Sequence, residues 1–256
     1  MAKQIYKICV VLSLSIISVG VSALPIHWTD WIDNTPTNGF QGNGVITTPT
    51  TTVSVTYNNP QGISFYQSSG GGTDYWQNGP GNGGRNPATS PYTSAAVDNI
   101  PTGTDIIALT FAGTQTLSFS ESIANPVFSY VSLNGNGYAF DQDFEILSFG
   151  NASDSNDPGY WGAGTSSKSV VDLGGGNFEY QLLGTGEPHG TIRFTGEFNA
   201  VSWRSLSAEN WNGFTVGIEG TAIEVNPPGA GPVPAPLTVA LLGLGLVSFF
   251  YSRRYR

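Results

Sequence analysis

Asp141, Asp143 and Glu145 alternate with Gln142, Phe144 and Ile146, so on a strand the three carboxylates share one face and the apolar pair the other. Neighbours two apart on a strand lie roughly 6.8 Å from one another, inside the range of about 5 to 10 Å that a pair of glycosidase carboxylates needs. Hydrolysis also requires a cleft that drives two carboxyl pKa values apart, and a solvated acidic face is the ordinary meaning of such a run. No catalytic residue is assigned, and glycoside hydrolysis is the weakest of the readings. In Asp154-Ser155-Asn156-Asp157, the side chains of Asp154, Asn156 and Asp157 offer oxygens to a hard cation such as calcium. The turn lacks the glycine and the distant bidentate glutamate of a helical calcium loop, and a plain Asx turn uses the same residues. His27 and His189 are the only histidines, which makes zinc a poorer fit. No serine lies in a Gly-x-Ser-x-Gly turn, and His189, within Glu187-Pro188-His189-Gly190, is expected at the surface.

Aromatic residues offer a different chemistry. Tyr75-Trp76 and Tyr160-Trp161 each sit inside a long polar stretch, residues 68–91 and 151–169. Long loops on a rigid scaffold are where binding groups concentrate, and adjacent rings suit the apolar faces of sugars. Tyr75, Trp76, Tyr160 and Trp161 are therefore the glycan-binding candidates. The competing reading is that these rings fold back over an open part of the core, since large aromatics are mostly buried. Trp203 and Trp211 lie in or beside alternating segments and are assigned to core or edge packing.

The elements that must carry these loops are strands. The chain has 34 Gly, 16 Pro and a single Met, a composition of turn formers rather than helix formers. Apolar residues two apart recur in Val53-Val55-Tyr57, Leu117-Phe119, Phe128-Tyr130, Phe178-Tyr180-Leu182, Val201-Trp203 and Phe214-Val216-Ile218, the period of half-buried strands. Asn58-Asn59-Pro60, Asn134-Gly135-Asn136-Gly137 and Gly174-Gly175-Gly176-Asn177 punctuate them as turns. The pattern predicts an all-β, antiparallel, jelly-roll-like β-sandwich over residues 24–226, one domain by its length. Within it, four basic residues face all 18 carboxylates, a formal balance of −14. That charge repels phosphate backbones and argues against a nucleic-acid partner.

Both ends read as addresses. Lys3 and Lys7 precede an apolar run over 8–21, and Val21-Ser22-Ala23 offers small residues for a signal peptidase, so residues 1–23 are expected to be a signal peptide cleaved between Ala23 and Leu24. The sole cysteine, Cys9, leaves with it, so the exported chain cannot form disulfides. At the other end a Pro/Gly linker, 227–236, closes on Val233-Pro234-Ala235-Pro236. An apolar helix with a basic tip, 237–256, follows and ends in Arg253, Arg254, Tyr255 and Arg256. Its fifteen-residue apolar run, 237–251, spans roughly 22 Å as a helix, short of the hydrocarbon core of about 30 Å. The arginines hold the tip on the cytoplasmic side.

In order and size, this proline-flanked motif, short apolar helix and arginine-rich end resemble the PEP-CTERM sorting signal of Gram-negative bacteria, in a variant with Ala235 at the usual Glu position. Segments 124–134 and 209–218 are similar to ectodomains that often carry this signal. The resemblance implies an exosortase-like processing enzyme, transient or permanent attachment to the inner membrane through the helix, and delivery to the cell surface or extracellular matrix. A simple C-terminal anchor is the alternative. The expected function is a non-enzymatic structural or adhesive component of biofilm or exopolysaccharide, with extracellular polysaccharide as partner. The alternative is a carbohydrate-binding module using the loop aromatics, with Ca2+ as its one conceivable cofactor.

Overall fold

The structure, a computed structural model, describes residues 25–35, 38–68, 70–79, 84–150 and 158–228. The cleavage junction at Ala23 and Leu24, the tail with Val233, Pro234, Ala235, Pro236, Arg253, Arg254 and Arg256, and the turn with Asp154, Asn156 and Asp157 lie outside the described residues. Among the described residues, no helix is long and apolar enough to cross a membrane.

In chain order the strands are β1 (His27–Trp28), β2 (Asp30–Thr35), β3 (Phe40–Thr47), β4 (Thr52–Asn59), β5 (Phe65–Gln67), β6 (Ile106–Leu109), β7 (Gly113–Ala124), β8 (Val127–Val131) and β9 (Gly137–Phe140). They continue as β10 (Glu145–Phe149), β11 (Gly164–Gly174), β12 (Asn177–Gly186), β13 (Gly190–Arg193), β14 (Glu197–Ser205), β15 (Asn212–Ile218) and β16 (Gly220–Thr221), followed by one turn of helix, α1 (Ala222–Val225). One sheet runs β10-β13-β8-β15-β6-β5, with β1 added to β15; the other runs β11-β12-β9-β14-β7-β4-β3-β2, with β16 added to β7. The strand pairs are antiparallel, and the two sheets form a sandwich.

The larger sheet has one dry face and one wet face. Along β4, Val53, Val55 and Tyr57 are buried while Thr52, Ser54 and Asn58 are exposed, the alternation a half-buried strand requires. Between the sheets, Phe128 and Phe214 stack with centroids 4.9 Å apart, and the Trp203 ring meets both edge-on at 5.3 and 5.1 Å. Edge-to-face and offset contacts of this kind suit aromatic quadrupoles.

The middle of the smaller sheet is dry on both faces: every residue of β8 and β15 is buried. Val127 and Val131, opposite in direction to Phe128 and Tyr130, pack in two side clusters with Val97, Tyr92, Trp76 and Ile100. The segment between β5 and β6 thus lies over the outer face of this sheet. Small outward residues on β15 let neighbouring chain pack close: a Cβ on Gly213 would lie 2.4 Å from Ile106 Cδ1 of β6, and one on Gly217 would lie 2.4 Å from Ile26 Cγ2, just ahead of β1. The row is tied down by polar bonds, with Ser129 and Thr191 hydroxyls 2.8 Å apart and Thr191 donating to the Tyr92 carbonyl at 3.0 Å.

One expected strand is absent. Asp141 to Asp143 do not continue β9; the chain leaves the larger sheet after Phe140 and enters the smaller one at Glu145. Phe144 is the cause: its buried ring sits between Phe140 and Phe194, 5.4 and 6.2 Å away. That burial pulls the chain across the gap, and the three carboxylates no longer share a strand face. Asp143 pairs with Lys168, whereas Glu145 pairs with Arg193 at 3.0 Å in the other sheet.

Candidate functional site: an aromatic cluster where loops meet

Three of the four aromatic candidates converge, and the fourth turns away. Tyr75 stands at the centre, with ring centroids 5.2 Å from Tyr160, 6.3 Å from Trp161, 5.0 Å from Trp211 and 5.9 Å from Phe65. Tyr160 and Trp161 are perpendicular at 4.4 Å, and Trp161 lies 6.4 Å from Trp211. Trp161 is 49% exposed, and Tyr75, Tyr160 and Trp211 are half-buried. Trp76 is fully buried against Tyr92 at 5.2 Å, its indole N–H donating to the Asp105 carbonyl at 3.0 Å. Tyr75 and Trp76 sit in a turn whose Trp76 N–H is fixed by the Asp74 carboxylate, so one ring of the pair anchors the loop and the other faces out.

Local bonds hold this arrangement. Asp74 accepts from the Trp76 N–H at 3.0 Å and pairs with Arg85 at 2.8 Å. Arg85 also donates to the carbonyls of Gly103, at 2.9 Å, and Pro101. The second loop is tied to the first where Gly79 N–H donates to the Pro158 carbonyl at 2.8 Å. Gly159 is required by close approach: a Cβ there would lie 2.1 Å from the His189 ring. Trp211 comes from the loop ahead of β15, and Phe65 from β5 at the sheet edge.

His189 is buried rather than exposed, contrary to its turn-like sequence, because the Gly159 loop covers it. Its Nδ1 lies 2.7 Å from the Glu187 carbonyl, an acceptor, so the proton sits on Nδ1 and Nε2 is a lone pair without a partner. Burial holds its pKa down to about 4, against a smaller upward pull from that bond.

Glu209, two residues before Trp211, is the most perturbed carboxyl at this end. Burial pushes its pKa up to about 7; the bond from Asn212 opposes this and the charge of Glu187 adds to it. Asn212 donates to Glu209 Oε1 at 2.5 Å and accepts from the Tyr138 hydroxyl, while Glu209 Oε2 is buried without a partner. Glu187 is held by Ser132 and Asn134, both at 2.7 Å. No group of three or more His, Cys, Asp or Glu side chains able to hold a metal occurs among the described residues.

Sequence reasoning missed Trp211 and Phe65 as members of the cluster. The polar and glycine neighbours of Trp211 in Glu209-Asn210-Trp211-Asn212-Gly213 were the signal that it stands in a loop. Compared with protein-family models, with curated proteins and with solved structures, the chain has no match. Its function is therefore argued from geometry. Half-exposed rings at loop junctions present flat apolar faces framed by polar groups, a surface chemically suited to stacking contacts.

Proposed function

We propose that this chain is an exported adhesive β-sandwich, of jelly-roll-like winding, that holds extracellular polysaccharide on the Tyr75, Tyr160, Trp161 and Trp211 rings. The observation that carries the reading is the convergence of these rings from three separate loops, with Trp161 49% exposed. Evolutionarily cheap burial would have closed such a cluster; leaving it open costs hydrophobic stabilisation of about 25 cal/mol per Å² and calls for a ligand. The acidic balance of −14 favours neutral sugars over anionic polymers. The jelly-roll winding rests on the chain changing sheet at nearly every connection from β6 to β16.

Delivery is assigned to the termini. The signal peptide is removed after Ala23, and the tail is held in the inner membrane by Arg253, Arg254 and Arg256. An exosortase-like enzyme cuts near Pro234, releasing the domain to the cell surface or matrix. This part rests on the sequence resemblance. The intact mass of protein recovered from the cell surface tests it: a species starting at Leu24 and ending near Pro234 supports the reading, and one still carrying the tail overturns it.

Binding is tested on a glycan array with Trp161→Ala beside the unchanged protein. Stacking accounts for most of the contact, so affinity for any bound neutral glycan should fall at least about tenfold, equivalent to 1.4 kcal/mol, with an unchanged melting temperature. Retained affinity, or release of sugar by the purified protein, overturns it.

A further inference from the structure

We propose that β11 is a self-association edge, pairing antiparallel with β11 of a second copy about a two-fold axis at Val170. An open sheet edge is a template for another strand unless it is short, charged, bulged or covered. The end strands of the two sheets differ in this respect. β5 has three residues, β10 has five with a bulge between Ile146 and Ser148, and β2 carries the carboxylates of Asp30 and Asp33. β11 has eleven residues, pairs only with β12, and is regular until the bulge between Asp172 and Gly174.

The hairpin also runs past its support. β12 pairs with β9 only from Tyr180 to Leu183, so residues 171–179 run past the end of β9, tied to β14 by the Glu179–Arg204 ion pair at 2.9 Å. Val170, Leu173 and Phe178 are 53%, 62% and 44% exposed, three of the seven large hydrophobics exposed among the described residues. Val170 faces Tyr180, Asp172 faces Phe178 and Lys168 faces Leu182 across the hairpin, which places these six side chains on one face.

Charge selects the occupant. A domain with a balance of −14 repels its own copies, yet β11 carries one anion, Asp172, and one cation, Lys168, whose ammonium gives two of its three N–H groups to Asp143 and the Phe144 carbonyl and keeps one for a partner. Their midpoint is Val170. In an antiparallel pair centred there, Lys168 of each copy lies opposite Asp172 of the other, and the two Val170 side chains meet between flanking Tyr180 rings. Phe178, beside Asp172, then borders the incoming Lys168. The strand is complementary to itself in one register, the requirement for an isologous two-fold contact. A second copy therefore fits this edge better than an unrelated strand does, and the contact would cross-link adhesive domains independently of what the aromatic cluster binds.

The test uses the full chain in detergent with Cys9→Ala, so that an introduced cysteine is the only thiol. Val170→Cys places two sulfurs at directly opposed positions, whereas Val171→Cys sets them on the diagonal, about 7–8 Å apart. Disulfide-linked dimer should form at least about tenfold faster for Val170→Cys, and higher salt should speed it by screening the acidic domains. Val170→Lys, in the same chain, should raise the concentration at half-association at least about tenfold, with an unchanged circular dichroism spectrum. Equal cross-linking rates for the two cysteines, which association through the terminal apolar runs would produce, overturn the proposal. A chain that stays monomeric at all concentrations also overturns it.

Discussion

Glu209→Gln should stabilise the protein at pH 8, an effect that shrinks toward zero as pH falls below 4.5. The folded carboxyl titrates near 7 against an ordinary value of 4.5, chiefly because it is buried. An acid whose pKa is raised by folding holds its proton in the folded state while the unfolded chain has already released it. Its contribution is therefore fully present below pH 4.5 and is lost as pH rises to about 7. A displacement from 4.5 to about 7 corresponds to about 3 kcal/mol. The side chain is only partly withdrawn from water, and screening reduces this to about 2 kcal/mol. For a domain of this length that is about 4–8 °C in melting temperature.

Glutamine mimics the protonated form: its carbonyl accepts the Asn212 amide as Oε1 does. The groups facing Glu209 are Glu187 and Tyr138, whose phenol is pushed by burial well above its ordinary pKa. Contributions from His189 and other distant groups cancel in the difference between the two proteins. Thermal melts by circular dichroism at half-unit steps from pH 4.5 to 8 provide the curve. A difference between variant and parent that is flat over that interval refutes the reasoning, as does a variant equally destabilised at both ends.

Other outcomes follow from the same structure. Gly159→Ala drives a methyl to within 2.1 Å of the His189 ring; it should cost about 1–3 kcal/mol and weaken glycan binding without touching an aromatic residue, read by melts and the array together. For Glu224, burial pushes the pKa up, but bonds from Thr48, Thr50 and Thr221 outweigh it and bring the carboxyl to about 2. Its contribution is present above pH 4.5 and lost as pH falls toward 2. Glu224→Gln should thus destabilise at neutral pH, by about 1 kcal/mol given the capping box it forms with Thr221, and converge with the parent in acid melts.

The alternating runs of β4, β7 and β14 were legible because each strand there has a wet face and a dry face, and period two records that difference residue by residue. The fully buried strands β8 and β15 were legible only as strands. Their outward Ser129, Thr215 and Gly213 read as solvent-facing, although a loop distant in the chain covers them. The same limit applied at Phe144, where a local alternation lost to the burial of one ring between two sheets.

By itself the sequence determined the all-β class, the turn positions, the acidic balance of the domain and the two long aromatic loops, since each depends on residues close together in the chain. Only the tertiary structure decided that Tyr75 and Trp76 face opposite ways, that Trp211 joins Tyr160 and Trp161, and that His189 lies under Gly159. Those outcomes rest on which surfaces meet across tens of residues, and burial there is won by the ring that fits the available gap rather than by any local preference.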